Sequence, residues 1–145
     1  MRWTHRTYPY GPVWLGLTVP LSWAGMQFFL PTLFLFKGLM MASYLGTIYF
    51  MGKIMQKLNP EKKLLAMALF ALNPLILIES LISAHNDIVM VCLAVMSFYF
   101  LLEKKYLAVL IFFLLSIGIK FATIFLLPVF ILWIIRKDDV WVILS

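Results

Sequence analysis

NPLILIESLISAHND, residues 73–87, threads Pro74, Glu79, His85, Asn86 and Asp87 through or against an apolar run long enough to enter a bilayer. Ionisable groups at that depth cost several kcal/mol, so they mark a candidate functional site. Asn73 and Pro74 interrupt the i to i−4 hydrogen-bond ladder and predict a kink, whose freed backbone groups a neighbouring helix or water must satisfy. On a regular helix Glu79 would lie roughly 9 Å deeper than His85. It must then face protein or water, either as a neutral, hydrogen-bonded acid at a structural bend or as part of a binding site.

The rest of the chain makes a membrane setting the natural frame for that stretch. Of its 145 residues, 64% are hydrophobic and 12% charged, with a mean hydropathy of +1.01, more apolar matter than a water-soluble domain of this size can cover with polar surface. At roughly 20 residues per crossing, the length allows about five spans and little else. The fold class predicted is all-α: a polytopic membrane helical bundle of about 4–5 membrane helices, short or re-entrant ones included. A single membrane domain is assigned to 1–145. Its helices are placed at 28–52, 64–84, 88–102, 106–119 and 121–135, with the start of a further helix at 140–145.

The net charge of +6 comes from short loops beside apolar runs. That is the pattern of topology signals and lipid headgroup contacts, and it argues against nucleic acid as a partner. Lys53, Lys57, Lys62 and Lys63 outnumber Glu61 after the first span, Lys104 and Lys105 follow Glu103, and Arg136 and Lys137 precede Asp138. The positive-inside rule puts all three loops in the cytoplasm of a multi-pass cell-membrane protein, and His85-Asn86-Asp87 on the outer side. The N-terminal MRWTHRTYPYGPVW lacks the compact apolar core of a cleavable signal peptide. Residues 8–25 mix aromatics, prolines and glycines, as an interfacial or re-entrant element does. Cys92 has no partner for an internal disulfide.

Two readings stand beside each polar residue. Asn86 and Asp87 suit the N-cap of a helix starting near Ile88, and equally suit a site. His85, just before that acid, can orient a phosphate, bind a metal or act as a base. Residues 106–135 are interrupted only by Lys120, which predicts two half-length helices meeting there, with the lysine either snorkelling to the headgroups or binding a phosphate. Lys37 either pairs with Glu79 or snorkels. Trp3, Tyr8, Tyr10 and Trp14 form an aromatic belt, within which Arg6, Tyr8 and Tyr10 are placed to touch a lipid phosphate or sugar.

YPYGPVW at 8–14, the Asn-Pro span ending in His85-Asn86-Asp87, and IGIKFATIFLLPVF around Lys120 together resemble the GT-C superfamily of multi-spanning glycosyltransferases, especially its mannosyltransferase-like members. The resemblance implies an enzyme that transfers a sugar, such as mannose, from a polyprenyl-phosphate donor to an acceptor hydroxyl of a glycan or lipid on the extracytoplasmic face. It places Asp87 and His85 at the catalytic face. Asn86, Lys120, Glu79, Tyr8, Tyr10 and Arg6 fall to substrate binding, with Lys120 on the donor-phosphate side. No cofactor is implied with certainty; some members use a divalent metal, and no metal ligands are assigned here. In that family the catalytic acid normally lies upstream of the aromatic-proline segment, whereas this chain has no Asp or Glu before Glu61, so it is read as a portion of a larger enzyme in preference to a degenerate or split form that needs another chain. Two other classes compete: a small transporter or proton-conducting subunit with a polar path through Lys37, Glu79, His85 and Asp87, and a non-catalytic membrane assembly partner.

Overall fold

A computed structural model describes residues 10–26 and 28–136, with the side chains of 135 and 136 excepted. Arg6, Tyr8, Trp3 and the 140–145 tail lie outside the described residues. Those described form a helical bundle without strands. Helix α1 is Pro12–Ala24, α2 Phe29–Leu58, α3 Lys63–Ala71, α4 Pro74–Leu77, α5 Asp87–Leu102, α6 Tyr106–Ile119 and α7 Leu127–Arg136. A π turn, Ile78–Ile82, continues α4, and a 3₁₀ segment, Phe121–Leu126, joins α6 to α7.

Among the described residues α2 is the one unbroken helix long and apolar enough to cross a membrane, its 30 residues reaching about 45 Å. Pro31 falls in its first turn, where no intrahelical donor is lost. The next candidate is broken. Helix α3 stops at Ala71, Asn73 caps the restart by accepting from the Leu75 and Ile76 amides at 2.9 and 3.4 Å, and the two halves meet at 52°. The Tyr44 hydroxyl, 2.6 Å from the Ala71 carbonyl, fills one of the acceptors this break exposes. Helices α5, α6 and the 121–134 stretch are apolar but shorter.

Helix α5 is the axis of the bundle, packed between α2 and α6. Ile88, Val89 and Ile119 form one core with Trp14, Met40 and Tyr44, while Leu101, Phe113 and Phe130 form a second. What is buried deepest includes small hydroxyls. Ser97 donates to the Val109 carbonyl at 3.0 Å, Ser116 to the Met90 carbonyl at 2.9 Å, and Ser116 also meets the Thr123 hydroxyl at 2.8 Å. Small polar residues between closely approaching helices are how membrane bundles are held, where leucine gains nothing over lipid. The outside matches: Phe125, Leu64 and Phe29 are 83%, 78% and 77% exposed, an apolar surface suited to lipid.

Two glycines dock α1 on the end of α6. A Cβ on Gly11 would collide with the Gly118 carbonyl, and one on Gly118 with the Val13 side chain. The resulting approach lets the Gly11 amide donate to the Ile119 carbonyl at 3.0 Å, which sets the start of α1 against the residue that precedes Lys120. At the opposite end an ion pair between Lys57 and Glu103 ties the last turn of α2 to the C-cap of α5, so the basic loops that follow these helices share one end of the bundle. Hydrogen bonds from Lys57 and Tyr99 hold the Glu103 carboxyl below the usual glutamate range.

Candidate functional site

The 79–87 segment is shaped by how its helix ends. In the π turn the Ser83 amide donates to the Ile78 carbonyl at 2.8 Å, and the His85 amide reaches back to the Glu79 carbonyl at 2.9 Å. Ala84 makes that reversal with a φ of 53°, a left-handed conformation that costs a non-glycine residue roughly 1 kcal/mol. As a result His85 Nε2 stands 3.6 Å from Glu79 Oε2, close enough to pair when the imidazole is protonated. The helix is not regular here, so the roughly 9 Å rise of a regular helix does not apply: the wide turn and the reversal let the tips of the two side chains meet.

Lys37 does not pair with Glu79. Its ammonium donates to the Leu81 carbonyl at 3.4 Å, one of the acceptors left at the end of the π turn.

Asp87 opens α5, and its Oδ1 accepts a 2.7 Å hydrogen bond from Lys120 Nζ. The two side chains are 46% and 43% exposed, open to an incoming group. Lys120 is presented by extended backbone, φ −154° and ψ 129°, where α6 stops and the 3₁₀ segment begins. The break at this lysine thus orients it toward the start of α5. Asn86 occupies the N-cap position without making a side-chain cap bond. It is only 5% exposed, and its Nδ2 has no hydrogen-bond partner. An unsatisfied buried amide costs about 1–3 kcal/mol, a penalty that a ligand acceptor would relieve.

The structure therefore gathers Asp87 with Lys120 and Glu79 with His85, on the two sides of Asn86 in the chain. Tyr10, 38% exposed, sets its ring tilted at 58° and 6.3 Å from that of Trp14, which belongs to the core beside Ile88 and Ile119. Arg6 and Tyr8 lie outside the described residues. Among the described residues no three of His, Cys, Asp or Glu converge as a metal-binding set.

One feature was not anticipated from the residues. An apolar groove of about 330 Å³ runs along α5 from Met90 through Ala94 to Phe98, walled by Ala122 and Leu126 of the 3₁₀ segment and Phe130 of α7. Its lining begins three residues after Asp87 on α5 and two residues after Lys120 on the 3₁₀ segment, so the ion pair adjoins it in the chain on both sides. The signal lay in the Met90, Ala94, Phe98 spacing, one face of α5 with a small residue at its centre.

The MptA_B family profile, described as alpha-(1->6)-mannopyranosyltransferase, N-terminal domain, matches residues 1–136 of the chain. No curated protein and no solved structure matches it.

Proposed function

Because the chain belongs to the MptA_B family, alpha-(1->6)-mannopyranosyltransferase, N-terminal domain, we propose that it transfers mannose from a polyprenyl-phosphate donor to an acceptor hydroxyl on the extracytoplasmic face, with a GT-C architecture. The family supports a glycosyltransferase, and with it a sugar donor and an acceptor. The observation that carries the finer reading is the Lys120 and Asp87 pair, two and three residues before the residues that line an apolar groove. A cation near an apolar groove suits a phosphate attached to a long hydrocarbon chain.

In the reaction the acceptor oxygen attacks the anomeric carbon, the bond from that carbon to the phosphate oxygen breaks, and polyprenyl phosphate departs with the electron pair. Lys120 neutralises the charge that grows on the departing phosphate. Asp87 takes the acceptor's proton, with His85 in its neutral form as the second candidate base. The Asn86 amide donates to a sugar or phosphate oxygen, and the aromatic-proline segment with Arg6, Tyr8 and Tyr10 borders the sugar. The single membrane domain is read as spanning repeatedly, with basic loops in the cytoplasm and a glycan or lipid acceptor outside.

The test is mannose transfer in membranes carrying the full-length gene product, supplied with polyprenyl-phosphate-mannose. Asp87→Asn and Lys120→Met should each slow transfer by about a hundredfold, the usual range for an acid-base or charge-stabilising group. Unchanged rates in both variants would refute the site.

A further inference from the structure

Resting on the proposed function, we infer that the Asp87 and Lys120 ion pair is a latch: Asp87 occupies the lysine until the phosphate of a polyprenyl lipid displaces it. The same displacement releases Asp87 to act as a base. Three observations carry this. Lys120 Nζ is already bound to Asp87 Oδ1 at 2.7 Å, so an anion reaching Lys120 must compete with a carboxylate. Both side chains are nearly half exposed, which leaves the pair open to exchange, since solvent screens an exposed ion pair and holds it only weakly. The Asn86 amide, buried and unpartnered beside the pair in the chain, supplies a donor that the resting arrangement leaves unused.

The groove identifies the chemical class of the competitor. Its walls, Met90, Ala94, Phe98, Ala122 and Phe130 among them, offer an apolar chain a path lined from three residues after Asp87 and two residues after Lys120. A phosphate on such a chain arrives with its hydrocarbon already held, and the effective concentration of its charge at Lys120 rises accordingly. Asp87 then loses its partner as the donor seats. The base becomes available only when a donor is bound, which orders the two substrates, donor before acceptor.

The latch makes an unusual demand, namely that removing the charge of a site residue strengthens binding. Affinity for a polyprenyl phosphate is measured on the purified full chain in nanodiscs, for the wild type, Asp87→Asn, Asp87→Ser, Lys120→Met and the double variant Asp87→Asn with Lys120→Met. Thermal unfolding of each checks that the fold is kept, and the serine form stands in should the asparagine form fail to fold. Asp87→Asn should bind about threefold to tenfold more tightly, as loss of the competing pair and of charge repulsion requires. Lys120→Met should bind at least about tenfold more weakly, and the double variant should match it. Damage to the structure would not produce a gain. If the wild type binds and Lys120→Met weakens, while removal of the Asp87 charge leaves affinity equal or lower, the latch is overturned and the phosphate site stands. If Lys120→Met binds as the wild type does, the assignment of Lys120 falls and the latch with it. If no form binds, the lipid-phosphate reading itself fails.

Discussion

Ala84 holds a φ of 53° immediately before His85, Asn86 and Asp87, and no glycine relieves it. The strain persists because the bonds around it, from Ser83 to Ile78 and from His85 to Glu79, over-determine the turn. Ala84→Gly should therefore raise the unfolding midpoint in detergent, with a net gain of about 0.5 kcal/mol once glycine's larger unfolded-state entropy is counted. A lower midpoint would show that the reversal is not held at this residue. Asn86 predicts a different dissociation. Its amide makes no bond that Asn86→Ala would break, so the loss of packing is offset by removal of an unsatisfied donor, and stability should stay within about 1 kcal/mol of the wild type. Mannose transfer should nevertheless fall about tenfold or more, as for loss of a hydrogen bond to a reacting group. A parallel loss of fold and activity would return Asn86 to a packing role.

The helices depend on a few points of contact that differ in how plainly the residues announce them. Breaks at Asn73-Pro74 and at Lys120 were legible, since a proline or a charge inside an apolar run stands out. The pairing of Glu79 with His85 was not: it depends on a π turn and a left-handed alanine, neither of which any residue type marks. The docking of α1 on α6 was hidden for another reason, because Gly11 and Gly118 are far apart in the chain and only their approach gives either a role. Gly11→Ala would drive a Cβ into the Gly118 carbonyl, backbone that cannot swing aside. It should cost about 2 kcal/mol or more and separate α1 from Lys120, read as a lower unfolding midpoint together with lost transfer. The ion pair at the opposite end gives a pH prediction. With the Glu103 carboxyl lowered by Lys57 and Tyr99, the folded state binds its proton less readily than the unfolded chain does. The stability it contributes is complete above the ordinary glutamate value of about 4.3 and is lost as pH falls through the lower folded value. Glu103→Gln should thus be less stable than the wild type at neutral pH, with the gap closing under acid. A gap that stays constant down to the acid limit would mean that the carboxylate charge is not what ties the loops.

Taken together, the two ends of the bundle differ in chemistry, and that difference carries the extracytoplasmic reading of the site. One end joins Lys57, Glu103 and the neighbouring lysines, and the other carries Glu79, His85, Asp87 and Lys120. The apolar composition made the all-helical class legible, because an apolar exterior leaves helices as the simplest way to satisfy the backbone. The number of crossings was harder to read: among the described residues one unbroken helix is long and apolar enough to cross, a bent pair passes that test only if its halves act as one span, and the other apolar helices are shorter. Orientation is set by charge rather than by packing, and it can be measured separately. Cys92 is buried, 8% exposed, so it contributes little background to thiol labelling. The His85 side chain is 55% exposed, which makes His85→Cys a reporter for the site end, and Lys62→Cys, on the exposed turn after α2, a reporter for the basic end. In intact cells a membrane-impermeant maleimide should label position 85 and spare position 62; after permeabilisation it should label both. Labelling of 62 with protection of 85 would place the Asp87 and Lys120 pair in the cytoplasm, and an enzyme drawing a lipid-linked donor from the outer leaflet could not use it there.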